Sequence, residues 1–301
     1  MFDTIFNITR GILEQGFIYA ILALGIYITY SILDFPDLSV DGTFPLGSAM
    51  TAMLIFHGAN PWLSILISFL VGCFAGFLTG IFHVVFKIKD LLAGIITMIG
   101  LYSINLMIAG GKAVLPITNK HTIFNSGLFQ NFSALFILFI CILVIKILLD
   151  WYLKTKSGLL LRAVGDNETV VTMLAKDQGK IKILGLMLCN GLAATAGSIL
   201  CQKQRSFDVN SGTGMLVTGL ASVIIGISIF SHLSLRNHFL KGTTMVILGS
   251  VIYKACLSIA LQLNFNPNNY KLLMAGIFLL ALISNNFLEK GGRKHASIRT
   301  Y

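Results

Sequence analysis

Residues Gly158 to Lys182 read GLLLRAVGDNETVVTMLAKDQGKIK, the longest polar interruption between two very apolar segments of this chain. Together with Lys154 and Lys156 just ahead of it, the stretch holds six of the 22 Lys and Arg, the others being Arg162, Lys176, Lys180 and Lys182. Asp166, Glu168 and Asp177 are interleaved with them. Lys and Arg close to the ends of membrane spans resist translocation, so a connection this basic is expected on the cytoplasmic side. Gly165-Asp166-Asn167 offers a turn and an N-cap, Glu168 follows where a carboxylate suits the helix dipole, and Gly179 stands where a short helix would end. Val170, Val171, Met173 and Leu174 give that helix an apolar side. A helix of about three turns is marginal alone and needs something to pack on. Two readings stand: a docking helix for a separate cytoplasmic subunit, or a solvated connector.

Outward from this stretch the chain is apolar. Of its 301 residues 55% are hydrophobic and 11% charged, and the mean hydropathy is +0.83. Soluble domains carry roughly a quarter charged residues, so a water-soluble core is excluded and a polytopic membrane protein is implied. The net charge of +10 flanks apolar spans and forms no basic face with interleaved aromatics, which argues against nucleic acid as a partner. The five cysteines (Cys73, Cys141, Cys189, Cys201, Cys256) are scattered, mostly inside apolar runs, and read as packing residues. The run from Gly11 to Ile32 is longer than a signal-peptide core and is expected to be a retained span.

About nine membrane segments are expected, roughly 12–32, 43–57, 62–86, 91–109, 132–153, 183–201, 215–230, 239–260 and 271–287, in one all-α transmembrane domain over 1–301. With the basic connection inside and alternation on either side, fourteen of the 22 basic residues fall inside, including Lys87, Lys89, Arg236, Lys241 and the basic tail over 289–301. The C-terminus is then cytoplasmic and the N-terminus external, unless a re-entrant segment at 33–57 or 210–230 flips that end. Gly72, Gly76 and Gly80 recur every four residues and lay a bare stripe along one helix face, as do Ala193 and Gly197, and Ser222 and Gly226. Such stripes let a neighbouring backbone come close, in contact with lipid on the other faces.

Polar residues at membrane depth are the remaining signal. Asp34, Asp37 and Asp41 lie within eight residues, with Pro36 and Gly42 beside them, where a short turn would have sufficed. Facing lipid they would be prohibitive, so they face protein, water or solute. Either they line a path suited to a zwitterionic solute, or Asp37 or Asp41 caps the following helix. Thr97, Ser103 and Asn105 sit in the fourth apolar run; hydroxyls there can bond back to the preceding turn, and Asn105 fits an interhelical hydrogen bond as well as a solute contact. Lys146 can pair with Asp150 at i,i+4, His83 reads as a boundary residue, and Lys254 is either a path residue or a snorkelling one. The chain has no G-x-x-x-x-G-K-[ST], G-x-S-x-G, H-E-x-x-H or G-x-G-x-x-G, so nothing argues for an enzyme or for a nucleotide site of its own.

Several long motifs together resemble one family. They are GLLLRAVGDNETVV followed by GLMLCNGLAATAGSIL, with YAILALGIYITYSILDFPDLSVDGTFPLG, LLAGIITMIGLYSINL and GTGMLVTGLASVIIG. Over nearly its whole length the chain resembles membrane permease subunits of bacterial ABC importers, in the branched-chain amino acid and ribose permease superfamily. It is most similar to those described as tryptophan/tyrosine or other amino-acid importers. The resemblance implies an importer-permease fold in the bacterial inner membrane and a permease homodimer. It also implies two cytoplasmic ATP-binding subunits that carry ATP and Mg²⁺, and an extracytoplasmic solute-binding (lipo)protein. No cofactor is expected on this chain. A coupling region over about 158–180 would touch the ATPase, through Arg162, Gly165, Asp166, Asn167, Glu168, Val170, Val171, Leu174 and Lys176. Asp34, Asp37, Asp41, Thr97, Ser103, Asn105 and Lys254 are the candidates for the translocation path. The chain departs from the family pattern at Ser31 and Met107, where arginine is common, at Ala175-Lys176-Asp177, and at Ile227-Ser228. The competing class is an ion-coupled secondary transporter or channel, with Lys254 and the aspartates as its charges.

Overall fold

Asn60-Pro61 begins the third helix: Asn60 Oδ1 accepts the Trp62 N–H at 2.9 Å, and the missing N–H of Pro61 costs nothing at the first helical position. Ser133 does the same for the fifth helix and Asp177 for the seventh, so the polar residues between apolar runs act as helix starts. The computed structural model describes residues 2–118, 120–125, 133–166, 177–237, 241–262 and 272–283.

The helices are α1 (Phe2–Tyr27, continued by a π-helical turn Ile28–Ile32), α2 (Val40–Phe56), α3 (Pro61–Val84), α4 (Asp90–Ile108), α5 (Ala134–Tyr152), α6 (Lys156–Asp166), α7 (Gln178–Gln204), α8 (Met215–Asn237), α9 (Gly242–Gln262) and α10 (Leu272–Ile283). Seven of these segments are long and apolar enough to cross a membrane, and α2 and α10 are shorter apolar helices. The protein is thus an all-α polytopic membrane protein. A two-stranded antiparallel sheet pairs β1 (Val114–Pro116) with β2 (Ser206–Asp208), Leu115 opposite Phe207, and joins the ends of α4 and α7. We call that end of the bundle the hairpin end; the other, with Lys87, Lys89, Lys154 and Lys156, is the basic end.

α7 is the central helix, with 78% of its most apolar window buried against 22% for α5. Its neighbours approach it through glycine. A Cβ at Gly80 would lie 2.9 Å from Ile183 Cγ1, and one at Gly72 would lie 2.6 Å from the Asn190 carbonyl oxygen, so α3 lies directly on the α7 backbone along Gly72, Gly76 and Gly80. Next to these contacts Gly197 abuts the Phe44 carbonyl of α2, Ala193 is fully buried, and Gly25 of α1 abuts Cys189. Gly226 and Gly249 bring α8 and α9 together in the same way.

The basic connection is built differently from the expectation. Gly165 is not a turn: α6 runs through it to Asp166, and its bare Cα faces the Ile32 carbonyl, where a Cβ would collide. Gly179 does not end a helix either. It lies in the first turn of α7, where Asp177 Oδ1 accepts the N–H groups of Gly179 (3.0 Å) and Lys180 (3.4 Å). Asn167, Glu168, Val170, Val171, Leu174 and Lys176 lie outside the described residues. Lys146 and Asp150 meet at 3.1 Å, and Asp150 also receives Lys241 at 3.3 Å and the Thr243 hydroxyl at 2.6 Å, tying α5 to the start of α9.

A junction of two broken helices at mid-depth

Between α1 and α2 the chain is irregular. The π-helical turn closes with Leu33 N–H to the Ile28 carbonyl (3.0 Å), and Asp34 takes a left-handed conformation (φ 63°) that short polar residues tolerate better than most. Phe35 precedes a proline and is driven out of the helical region. Irregular backbone at membrane depth requires cover by protein, and the surrounding helices supply it. Gly94 of α4 lies against the Leu38 N–H, and Gly42 against Met98, the ninth of the 19 residues of α4. α2 therefore starts near the middle of the bundle.

Asp37 is 2% exposed and fully engaged. Its Oδ1 accepts the Ser39 N–H at 2.9 Å, and its Oδ2 accepts from the Ser39 hydroxyl and from Asn190 Nδ2, both at 2.7 Å. Asn190, the thirteenth of the 27 residues of α7, also accepts from the Thr43 hydroxyl at 2.6 Å. This network fastens the start of α2 to the central helix. A buried carboxylate is tolerated when several donors satisfy it, and the N–H groups at a helix start favour negative charge.

Asp41 does not cap its own helix, which was one of the two readings open for it. From the first turn of α2 its Oδ2 accepts the Gly214 N–H (3.0 Å) and its Oδ1 the Leu216 N–H (2.7 Å), so it caps α8. A second segment makes this possible. From Phe207 at the hairpin end, Val209–Gly212 descends along α2 as a short 3₁₀ turn until Gly212 abuts the Asp41 carbonyl and the Pro45 ring. Gly214 then turns at φ 82°, a conformation that glycine adopts without penalty, into α8. Two helices thus start head to head at mid-depth, each with one carboxylate at its N-terminus.

The other candidates do not all join this junction. Asn105 is fully buried and donates Nδ2 to the Gly42 carbonyl at 3.1 Å, so it belongs to it. Thr97 bonds back to Ala93 (3.0 Å) and receives the Thr79 hydroxyl, which places it between α4 and α3. Ser103 is exposed on the outward face of α4, and Asp34 is exposed. Lys254 is 4% exposed, with Nζ 3.4 Å from the centre of the Tyr19 ring, which stacks on Phe44; it does not snorkel. Arg162 and Asp166 are exposed on α6, where Arg162, Lys154, Lys241 and Tyr27 line a cavity of about 400 Å³ at the basic end. A larger groove of about 600 Å³ between α3, α5 and α7 runs from Trp62 to Trp151 with no charged residue in its lining, and has no share in this chemistry. Sequence reasoning passed over Ser39, Thr43, Asn190 and Ser211. Asn190 carried the same signal as Asn105, an amide inside a long apolar run. Among the described residues no group of three His, Cys, Asp or Glu is placed to hold a metal.

Comparison with known proteins returns one consistent group. The family model described as "Branched-chain amino acid transport system / permease component" matches residues 8–283. A tyrosine transport system permease protein of Clostridioides difficile is 43% identical over 276 residues, covering 92% of this chain and 90% of the relative. An uncharacterized protein of Rickettsia prowazekii is 32% identical over 92% of this chain and 98% of its own. A ribose import permease protein of Haemophilus influenzae is 27% identical over 95% of this chain and 86% of its own. No solved structure matches the chain.

Proposed function

The chain belongs to the branched-chain amino acid transport permease family, and on that premise we propose that it is the transmembrane subunit of an ATP-driven importer for an amino acid of the aromatic class. The observation that carries the reading is the similarity to a tyrosine transport permease over nine-tenths of both chains. Two copies of the permease work with two ATP-binding subunits on the cytoplasmic side and with a solute-binding protein outside. ATP and Mg²⁺ are bound by those subunits, since this chain has no phosphate-binding loop. The basic end faces the cytoplasm, which puts α6 within reach of the ATPase, the hairpin end outside and the C-terminus inside. The solute crosses at the level where α2 and α8 begin, beside Asp37 and Asp41. What supports this level is that irregular backbone and two carboxylates come together there inside the bundle.

Isolation of the tagged permease with its associated subunits, followed by reconstitution in proteoliposomes, tests the reading. ATP inside the vesicles and the solute-binding protein outside should drive uptake of labelled tyrosine, with an ATPase subunit identified in the complex by mass spectrometry. Uptake driven by an ion gradient without ATP would replace the importer with a secondary transporter.

A further inference from the structure

At the junction of α2 and α8, two buried side-chain atoms have no hydrogen-bond partner: Asn105 Oδ1 and Ser211 Oγ. Such atoms are rare in folded proteins and each costs about 1–3 kcal/mol, so an occupant has to be sought. Both residues neighbour the first turn of α2. The Asn105 amide lies against the Gly42 carbonyl, and Ser211 precedes Gly212, which abuts the Asp41 carbonyl. The orientation of the Asn105 amide follows from that contact: a carbonyl accepts, so the NH₂ faces Gly42 and the oxygen is the atom left over. The helix start itself offers nothing to an anion, because Asp41 already holds the N–H groups of Gly214 and Leu216.

What remains near the first turn of α2 is a carboxylate, an amide oxygen and a hydroxyl, all able to accept. We propose that Asp41, Asn105 and Ser211 form the subsite for a primary ammonium group, whose three N–H donors match three acceptors. The α-ammonium of an amino acid is such a group, so the proposal names which end of the solute the permease grips and rests on the importer reading for that solute. Asn105 is fully buried, so the ammonium reaches the three acceptors only when the packing around them opens. In the closed arrangement described here the two acceptors wait unpaired.

The test is equilibrium binding to the permease with its ATPase subunits in nanodiscs, with labelled tyrosine and labelled tyramine as probes. Tyramine keeps the amine and lacks the carboxylate; 3-(4-hydroxyphenyl)propionate keeps the carboxylate and lacks the amine. Tyramine should bind and should displace tyrosine, and the propionate should not. Ser211→Ala and Asn105→Leu should each weaken both amines about tenfold, the scale of one hydrogen bond to a charged group. The Ser211 hydroxyl bonds nothing in the protein, so that variant carries no folding risk, whereas Asn105→Leu also loses the bond to Gly42. Displacement by the propionate and not by tyramine, unchanged affinity in Ser211→Ala, or no amine binding up to millimolar concentration overturns the proposal. ATP-driven uptake by the same purified complex reconstituted in proteoliposomes separates the two readings: intact uptake with amine-blind binding removes the subsite and leaves the importer.

Discussion

Replacing Asp41 by asparagine changes one oxygen to an NH₂ and leaves the shape of the side chain alone. For an ordinary N-cap the exchange is close to neutral, since asparagine caps about as well as aspartate. Here the cost should be larger. The carboxylate gives a separate oxygen to each of two N–H groups, Oδ2 to Gly214 and Oδ1 to Leu216. Asparagine has one oxygen, so one N–H at the start of α8 faces an NH₂ and loses its acceptor, at about 1–3 kcal/mol. Loss of the negative charge at the helix N-terminus adds about 0.3–1 kcal/mol. The expected destabilisation is about 1.5–4 kcal/mol. Unfolding of the purified permease by SDS, followed by tryptophan fluorescence (the chain has two tryptophans) and by size-exclusion chromatography, measures it. Asp34→Asn is the control: the side chain is exposed and asparagine accepts its left-handed backbone, so the change should stay within about 0.5 kcal/mol. If Asp41→Asn unfolds within about 0.5 kcal/mol of the parent, the two-oxygen clamp on α8 is not what holds the helix start, and the reasoning fails.

Gly76→Leu should sharply lower the yield of folded protein by size-exclusion profile, because even a Cβ there meets the Met187 Cα at 2.8 Å, whereas Gly100→Ala, with open space around it, should leave the profile unchanged. Val170→Asp together with Leu174→Asp should abolish co-purification of the ATPase subunit while the permease still inserts; a complex that survives with full transport places the coupling contact elsewhere. A cysteine introduced at position 120 should react with an impermeant thiol reagent added outside cells, and cysteines at 88 and at the exposed position 166 should not; labelling at 166 from outside would invert the topology.

The membrane class, the span positions and the stripe at Gly72, Gly76 and Gly80 are legible because they are local: run length and a four-residue period are properties of neighbours in sequence. The basic connection was misread where one residue type serves two ends. Gly165-Asp166-Asn167 has the composition of a turn, but glycine also permits close approach, and the Ile32 carbonyl that demands it lies 133 residues earlier. Asp177, by contrast, caps the helix that follows it, as its position before Gly179 allowed.

The aspartates were the harder case, because the partner of Asp41 is 173 to 175 residues away and no local pattern encodes it. Helix caps and path residues look like alternatives only while each helix is taken alone. Asp37 and Asp41 show why they need not be. A helix that starts at mid-depth leaves unpaired N–H groups where there is no water to satisfy them, so breaking a span obliges the protein to bring a carboxylate or its equivalent to that depth. The same break brings polar contacts between helices to mid-depth, and such contacts can be made and unmade. Apolar packing on a backbone, such as Gly76 on Leu186, offers no exchangeable partner. The bond from Asp41 to Leu216 does, since any donor that reaches the carboxylate competes for it. A cap that holds two helices together at mid-depth is therefore also a contact that a competing donor can part.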